Sequence, residues 1–301
     1  MTVTDIATTI DGDRAASAVP VARRPAIRPW AGLLPFAAFL FLFLLLPTYG
    51  IVEKAFTGDG SPETFLQTFQ DERKAFVGSV KISLVTAALG VVFGTAIAYA
   101  AATATRPRWL RSVVSAFSGV AANMGGVVLA FLFFTLLGRQ GLGTKLVREG
   151  LGYDLYKTDW FDITSFWGWV TVYMYFQIPL MVLITLPAVD GLRPAWREAS
   201  ANLGGTTWTY WRRVGLPVLA PSMLGGFLLM FANAFSAYAT VYALNNQANV
   251  VPVKISFGLS GDVGVRSSTP YALATWMIIV IALAMGGYLL LRKRAERWHA
   301  S

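Results

Sequence analysis

Six apolar blocks divide the amino-acid sequence, and each is close to the length that a helix needs to cross a lipid bilayer. A helix rises about 1.5 Å per residue, so a hydrocarbon core of about 30 Å requires roughly 20 apolar residues. The blocks cover residues 30–52, 78–104, 112–137, 164–188, 217–244 and 271–291. We therefore predict an all-α polytopic membrane protein with six transmembrane helices.

The composition excludes several kinds of chemistry. The chain has no cysteine, and its single histidine, His299, lies in the basic C-terminal tail. Disulfide frameworks, thiolate catalysis and zinc or haem sites are therefore not expected, and we predict neither a metal nor a bound cofactor. The net charge of +9 could suggest nucleic acid. Because the basic residues lie at the ends of the apolar blocks, we expect no nucleic-acid partner and attribute the charge to membrane topology.

The distribution of lysine and arginine predicts the orientation in the membrane. An even number of spans puts both termini on one side. The turn after the second block carries Arg106, Arg108 and Arg111 without an acid, and the tail contains the run 292–294 of Arg, Lys and Arg. Since basic residues concentrate in cytoplasmic segments, we predict cytoplasmic termini in the cytoplasmic (inner) cell membrane.

The pattern divides the chain into four parts. Residues 1–29 have no apolar period and are expected to be a flexible cytoplasmic arm, and residues 30–75 form the first span with an external loop. Residues 76–291 form the main transmembrane domain, and residues 292–301 the basic tail. The external stretch 138–163 is either a small surface helix or a simple loop.

Glycine and proline positions add local expectations. Gly90 and Gly94, four residues apart, predict a close approach between helices, which small residues allow where lipid gives no hydrophobic drive for association. Pro179 and Pro187 interrupt the fourth block, and Pro47 is expected to end the core of the first. Such prolines free backbone carbonyls that can line a cavity or form a hinge, although plain packing explains them as well.

The loop between the fourth and fifth blocks contains the most informative motif. Pro194 can open a short helix, and Gly204 can close it in a left-handed conformation. Residues 206–214 then form a second, amphipathic piece with aromatic and basic side chains, suited to the headgroup level or to a protein contact. Pro217 and Pro221 are expected in the first turns of the fifth span, where a missing amide donor costs least.

The same loop resembles the EAA signature of ABC importer permeases, which reads Glu-Ala-Ala, three residues, Gly, nine residues, Ile, one residue, Leu-Pro. Two departures, serine for the second alanine and valine for isoleucine, keep size and character. The matching residues are Glu198, Ala199, Ser200, Gly204, Val214, Leu216 and Pro217.

This resemblance implies the permease subunit of a binding-protein-dependent type I ABC importer, with a coupling helix in loop 193–217. In this family the helix docks on an ATP-binding subunit. Glu198 is the only acid among several arginines, so it could pair with that subunit or locally with Arg193 or Arg197. The chain lacks the Gly-x-x-x-x-Gly-Lys-Ser/Thr phosphate loop, so ATP would be bound by the partner. A pair of ATP-binding subunits, a second permease and an extracytoplasmic solute-binding protein would complete the importer.

The overall character of residues 177–187 and 231–240 looks most like the spermidine/putrescine, iron, thiamine and phosphonate branch of the ABC importer permeases. We expect a small polar solute such as a polyamine, with sugar, iron, thiamine or phosphonate as alternatives. Uncharged polar residues inside the blocks are candidates for the translocation path, or simply for bonds between neighbouring helices. They are Asn123, Gln177, Asn233, Ser236 and Tyr238.

Three other classes of protein fit less well. A secondary transporter would place ionisable residues near the midplane, and the predicted spans contain no Asp or Glu. An integral membrane enzyme would need a catalytic constellation, which the sequence does not offer. A membrane scaffold would require the EAA spacing to be accidental.

Overall fold

The computed structural model describes residues 33–57, 59–104, 107, 109–157, 161–260 and 268–299, with side chains described up to residue 289. These residues form α-helices, and two of the helices contain a π-helical turn. The predicted arm 1–29, Arg106, Arg108 and the side chains of tail 292–301 lie outside the described residues. Contacts between Cα atoms divide the chain into two units, Met1–Gly50 and Ile51–Ser301.

Along the described residues the helices are as follows. They are α1 Leu34–Phe56, α2 Pro62–Asp71, α3 Arg73–Thr103, α4 Trp109–Ala121, α5 Gly126–Leu137, α6 Leu142–Leu151, α7 Phe166–Asp190, α8 Pro194–Asn202, α9 Thr207–Ser236, α10 Ala239–Leu244, α11 Val251–Leu259 and α12 Thr269–His299.

Six segments of the described chain are long and apolar enough to cross a membrane, as predicted. Four of them are the helices α1, α3, α7 and α9, the fifth is Gly126–Leu151, which contains α5 and α6, and the sixth is Thr269–Leu289 of α12. The structure thus confirms the all-α architecture with six candidate spans. The external stretch 138–163 contains the helix α6, so the expectation of a small helix is correct and that of a simple loop is wrong.

The third predicted span is not one helix. The chain leaves helical geometry after Ala121 and re-enters it at Gly126, whose φ is +70°. This left-handed conformation is easy for glycine and costly for residues with a Cβ. The break is bonded to the first turn of α10, directly after a second break between α9 and α10. Thr240 Oγ1 accepts from the Gly126 amide at 2.9 Å and donates to the Gly126 carbonyl at 3.3 Å.

The fifth predicted span, 217–244, also differs from the structure. The helix α9 begins ten residues earlier, at Thr207, because the Thr206 hydroxyl accepts from the Thr209 amide and caps it. It ends at Ser236, and residues up to Leu244 form the separate helix α10.

Two prolines expected near helix ends lie within continuous helices instead. In α1, the π turn Phe41–Leu45 ends two residues before Pro47. In α9, the π turn Trp211–Gly215 ends two residues before Pro217. A proline ring clashes with the carbonyl four residues earlier, which in both helices lies inside the π turn. The wider turn accommodates the ring, so neither proline ends or begins its helix.

Within the second unit, α3, α7 and α9 pack together as the inner helices. Gly90 and Gly94 of α3 are buried at this contact. A Cβ at Gly94 would lie 2.5 Å from Met181 Cβ and 2.9 Å from the carbonyl oxygen of Ile178. The predicted close approach of helices at this glycine pair is therefore present.

The helix α12 packs on α9 and α11, and α2 covers its outer end. Phe65 of α2 stacks on Trp276 with ring centroids 4.7 Å apart, and Trp276 Nε1 donates to the Phe65 carbonyl at 3.1 Å. The loop between α7 and α9 follows the end of α7 that is predicted to be cytoplasmic.

Candidate functional site

The helix α8 forms where the sequence predicts a short helix, between Pro194 and Gly204. Pro194 occupies its first turn, where the missing amide donor costs nothing. At its other end, Gly204 has φ +75°, its amide donates to the Ala201 carbonyl at 2.9 Å, and the Gly205 amide donates to the Ser200 carbonyl at 2.8 Å. This pair of bonds is a Schellman motif. The expectation that Gly204 closes the helix is confirmed.

The two glycines are required for different reasons. A Cβ on Gly204 would have no atom within 4 Å, so only its left-handed backbone favours glycine. A Cβ on Gly205 would lie 2.7 Å from the Ser200 carbonyl oxygen, so its close approach favours glycine. Sequence reasoning missed Gly205, although the Gly-Gly pair was its signal.

The side chains of α8 divide among three directions. One side, formed by Trp196, Ala199, Ser200 and Leu203, faces a groove beside the start of α9. A second side, with Arg193, Pro194 and Arg197, faces a cavity between α8 and the helix bundle. Four exposed residues, Ala195, Glu198, Ala201 and Asn202, line neither of these spaces.

Glu198 is available for an external contact. The ion pairs of the described residues are Arg111–Asp190, Arg139–Asp162 and Lys254–Glu72, so Glu198 forms no local pair with Arg193 or Arg197 there. Beyond it, Leu203 is 88% exposed at the tip of the loop. An apolar side chain this exposed beside a free carboxylate is typical of a protein contact. Sequence reasoning did not single out Leu203.

The groove beside α8 has a volume of about 430 Å³. Across from α8 it is lined by Thr209, Arg213, Val214 and Val218 at the start of α9. Val214 of the signature therefore contributes to an apolar concavity next to Ala199 and Ser200. Leu216 and Pro217, the last two signature residues, are exposed on α9.

The base of the loop is held by contacts to the bundle. Arg111 of α4 forms an ion pair with Asp190 at the end of α7, at 2.5 Å. Tyr210 is buried, and the ring of Trp211 contacts Tyr99 of α3 edge-on, with centroids 4.9 Å apart. The loop is thus attached to α3, α4 and α7, and a force applied to α8 would be transmitted to these helices.

Gln177 is the most buried of the candidate path residues. Its side chain has no exposed surface, and its Nε2 donates to Thr86 Oγ1 at 3.3 Å and to the Met230 carbonyl at 3.2 Å. It therefore joins α3, α7 and α9 from inside their contact. The structure places Gln177 as a bond between neighbouring helices, which was one of the two alternatives for these polar residues.

The other candidates lie nearer the surface of the chain. Asn123 is exposed in the break between α4 and α5, and its amide donates to the Gly119 carbonyl at 2.8 Å. Asn233 and Ser236 are exposed one turn apart on α9, and Ser236 Oγ donates to the Asn233 carbonyl. Tyr238 is half-buried, and its hydroxyl is 2.8 Å from Ser256 Oγ. None of these four residues is hydrogen-bonded to Gln177.

Opposite the loop, an acidic side chain organises the external segment. Burial raises the pKa of Asp162, but hydrogen bonds from Thr164 and from Arg139 outweigh it and hold this pKa below its ordinary value. Burial and the Asp162 charge raise the pKa of Tyr156, whose hydroxyl donates to the Leu137 carbonyl at 2.6 Å. Asp162 therefore remains charged at neutral pH. Among the described residues no group of His, Cys, Asp or Glu could hold a metal ion.

Comparison with known proteins gives one family. The family described as "Binding-protein-dependent transport system inner membrane component" matches residues 90–296. The molybdenum transport system permease protein ModB of Escherichia coli (strain K12) is 26% identical over 221 residues, which are 71% of this chain and 89% of ModB. The sulfate transport system permease protein CysW of Synechococcus elongatus is 25% identical over 218 residues, covering 69% of this chain and 72% of CysW.

Among solved structures, the fold is similar to a chain of a bacterial ABC transporter involved in the import of the acidic polysaccharide alginate. The TM-score is 0.65 at 17% sequence identity, and the likeness covers 96% of this chain and 99% of that chain. At this identity the likeness establishes the fold.

Proposed function

The chain belongs to the binding-protein-dependent transport system inner membrane components and is a multi-pass permease subunit of an ABC importer in the cell inner membrane, and on this premise we propose that α8 is its coupling helix. The observation that carries the proposal is the exposed surface of α8 and its C-cap, where Glu198 of the helix has no local ion pair and Leu203, directly after it, is 88% exposed. Docking on an ATP-binding subunit would cover Leu203 and give Glu198 a partner.

The expected partners follow from this role. One ATP-binding subunit would receive α8, and its pair partner would receive the corresponding helix of a second permease. An extracytoplasmic solute-binding protein would deliver the substrate at the opposite face. The alginate transporter is also known in complex with a pentasaccharide-bound periplasmic protein, which supports this kind of assembly.

The test of docking compares substitutions at one position. Gly204→Ala forces a residue with a Cβ into the left-handed region, at a cost of about 1–2 kcal/mol, whereas asparagine tolerates that region. We expect Gly204→Ala to weaken retention of the ATP-binding subunit in a pull-down from mildly solubilised membranes. Gly204→Asn should retain it at nearly the native level.

Charge reversal provides the second comparison. Glu198→Lys should release the ATP-binding subunit, while Glu149→Lys, an equal reversal on an exposed residue of the external helix α6, should not. Loss in both variants, or in neither, would contradict the docking role of α8.

The second part of the proposal concerns the translocation path. Asn123, Asn233 and Ser236 are exposed polar residues in or beside helices that are apolar enough to cross a membrane. Polar groups are costly against lipid, so a second permease would cover them and enclose the path between the two chains. Tyr238 lies next to this surface along the chain. Gln177 is not part of this proposed surface because it bonds inside the bundle.

For the substrate, a small inorganic oxyanion fits better than the polyamine expected from sequence texture. Two of the relatives are a molybdenum and a sulfate permease, and a thiamine permease matches over a shorter stretch. The sequence from 73 to 148 and from 199 to 260, which carries the proposed path residues, contains no Asp or Glu that would attract a polycation. Amide and hydroxyl donors suit an oxyanion that crosses without a counter-ion.

Uptake into vesicles that contain the complete importer and its binding protein tests the substrate. Sulfate and molybdate should be accumulated in an ATP-dependent manner, and putrescine should not. ATP-dependent uptake of putrescine, a sugar or thiamine in place of the oxyanions would overturn this part of the proposal and leave the docking role intact.

A further inference from the structure

A cavity of about 440 Å³ lies behind α8, on the side away from the proposed docking surface. Four elements enclose it, namely the end of α3, the end of α7, the first turn of α8 and the start of α9. Its charged and tyrosine lining residues are Tyr99, Asp190, Arg193, Arg197 and Tyr210. The mechanism of docking does not use this space.

The two arginines give the cavity its charge. Arg193 is the N-cap of α8 and Arg197 lies within the helix, and both residues line the cavity. Neither forms an ion pair with another described residue, although Arg193 also contacts the ring of Trp196, with Cζ 5.9 Å from its centroid. Two unpaired guanidinium groups beside one concavity repel each other, and an anion between them would remove this repulsion.

One carboxylate, that of Asp190, also lines the cavity and could repel an anion. Asp190 is paired with Arg111 of α4 at 2.5 Å, so its charge is balanced from outside the cavity. The remaining polar side chains on the lining are Tyr99, Thr103 and Tyr210. The Thr103 hydroxyl donates to the Tyr99 carbonyl, and the hydroxyls of the two tyrosines can donate to an anion. The balance of charge in the cavity is therefore positive.

The position of the cavity indicates which anion would reach it. It lies where α3 and α7 end and α9 begins, at the predicted cytoplasmic surface, which is the depth of the lipid phosphates. Arginine forks match phosphate geometry with two parallel hydrogen bonds. Basic pockets between helices on this side of a membrane bind anionic headgroups.

We infer that this cavity is a binding site for a phosphate group, held by Arg193 and Arg197 with help from the hydroxyls of Tyr99 and Tyr210. The headgroup of an anionic phospholipid is the source that the position favours, and free inorganic phosphate has the same chemistry. The bound group would brace α8 against α3 and α7 from behind. The inference does not depend on the transported substrate.

The test uses the full chain, purified in mild detergent, stripped of lipid and then mixed with phosphatidylglycerol or phosphatidylcholine with the same acyl chains. Native mass spectrometry measures how much of each lipid the protein retains, and a parallel titration adds inorganic phosphate. The native protein should retain phosphatidylglycerol preferentially. The double substitution Arg193→Gln with Arg197→Gln should weaken this retention at least tenfold.

Matched variants keep the result interpretable. Arg212→Gln removes the same charge from an exposed residue that does not line the cavity, and retention should be unchanged. Tyr210→Phe removes one hydroxyl, and Arg197→Lys keeps the charge without the fork. Both should reduce retention by less than the double substitution, so the inference remains testable if that protein fails to fold.

Three outcomes decide the inference. Preferential retention of phosphatidylglycerol that depends on Arg193 and Arg197 supports it with lipid as the source. Competition by inorganic phosphate with the same arginine dependence, but without a lipid preference, supports the site with a soluble source. Equal retention of both lipids without phosphate binding, or equal effects of Arg212→Gln and the double substitution, overturns it.

Discussion

The contact between α3 and α7 at Gly94 offers a sharp test of how this bundle is held together. Replacement of Gly94 by alanine would bring a Cβ to 2.5 Å from Met181 Cβ and 2.9 Å from the Ile178 carbonyl. The carbonyl belongs to the backbone of the facing helix and cannot move aside as the end of a flexible side chain could. The helices would have to separate by about 1 Å to restore an ordinary contact, because carbon atoms pack about 3.5–4.0 Å apart.

The magnitude follows from two opposing effects. Overpacking of a close contact costs about 1–3 kcal/mol. Alanine is favoured over glycine inside a helix by about 1 kcal/mol, which offsets part of this cost. We therefore expect Gly94→Ala to lower the free energy of unfolding by about 0–2 kcal/mol, whereas the gain in helix propensity alone would raise it.

Gly119→Ala is the matched control. Gly119 lies inside α4, and a Cβ there would meet no atom within 4 Å, so only the gain in helix propensity remains. Unfolding of both variants in mixed micelles, titrated with a denaturing detergent and followed by tryptophan fluorescence, measures the difference. If Gly94→Ala unfolds at the same point as Gly119→Ala or later, the packing argument fails.

Three further predictions concern other described contacts. Gln177→Leu should lower the free energy of unfolding by about 1 kcal/mol or less in the same assay, because buried hydrogen bonds between membrane helices contribute about 0.6 kcal/mol on average. A decrease above about 3 kcal/mol would contradict this. Thr240→Val should cost about 1–3 kcal/mol, because the Gly126 amide loses its acceptor, whereas an unchanged unfolding midpoint would show that the two breaks are not coupled. Because the pKa of Asp162 is depressed in the folded state, its stabilisation is complete above about pH 4 and is lost as the pH falls further. Hydrogen exchange in residues 152–166, compared with that of Asp162→Asn at each pH, should show this acid dependence only in the native chain.

The parts of the structure that the sequence predicted are those governed by local rules. Apolar length fixes the six candidate spans because lipid leaves the backbone few alternatives. The Schellman end of α8 follows from Gly204 and its position after a short amphipathic run. The close approach at Gly94 follows from the absence of a Cβ.

The parts that escaped prediction depend on contacts between distant residues or on changes of helical geometry. The break before Gly126 lies in an apolar run, and the bond that supports it comes from Thr240, far along the chain. A π turn leaves no mark in a hydropathy pattern, so Pro217 looked like a helix start. The pairing of Arg111 with Asp190, 79 residues away, was equally invisible.

The π turn Trp211–Gly215 also sets the relation between the two ends of α9. A single π turn is equivalent to one residue inserted into an α-helix, and one residue corresponds to a rotation of about 100° about the helix axis. The side chains before the turn, such as Thr209, are therefore rotated relative to those after it, such as Asn233. Deletion of one residue from this turn would keep α9 apolar and almost as long. It would nonetheless rotate α8 about the axis of α9, relative to the transmembrane side chains that follow the turn.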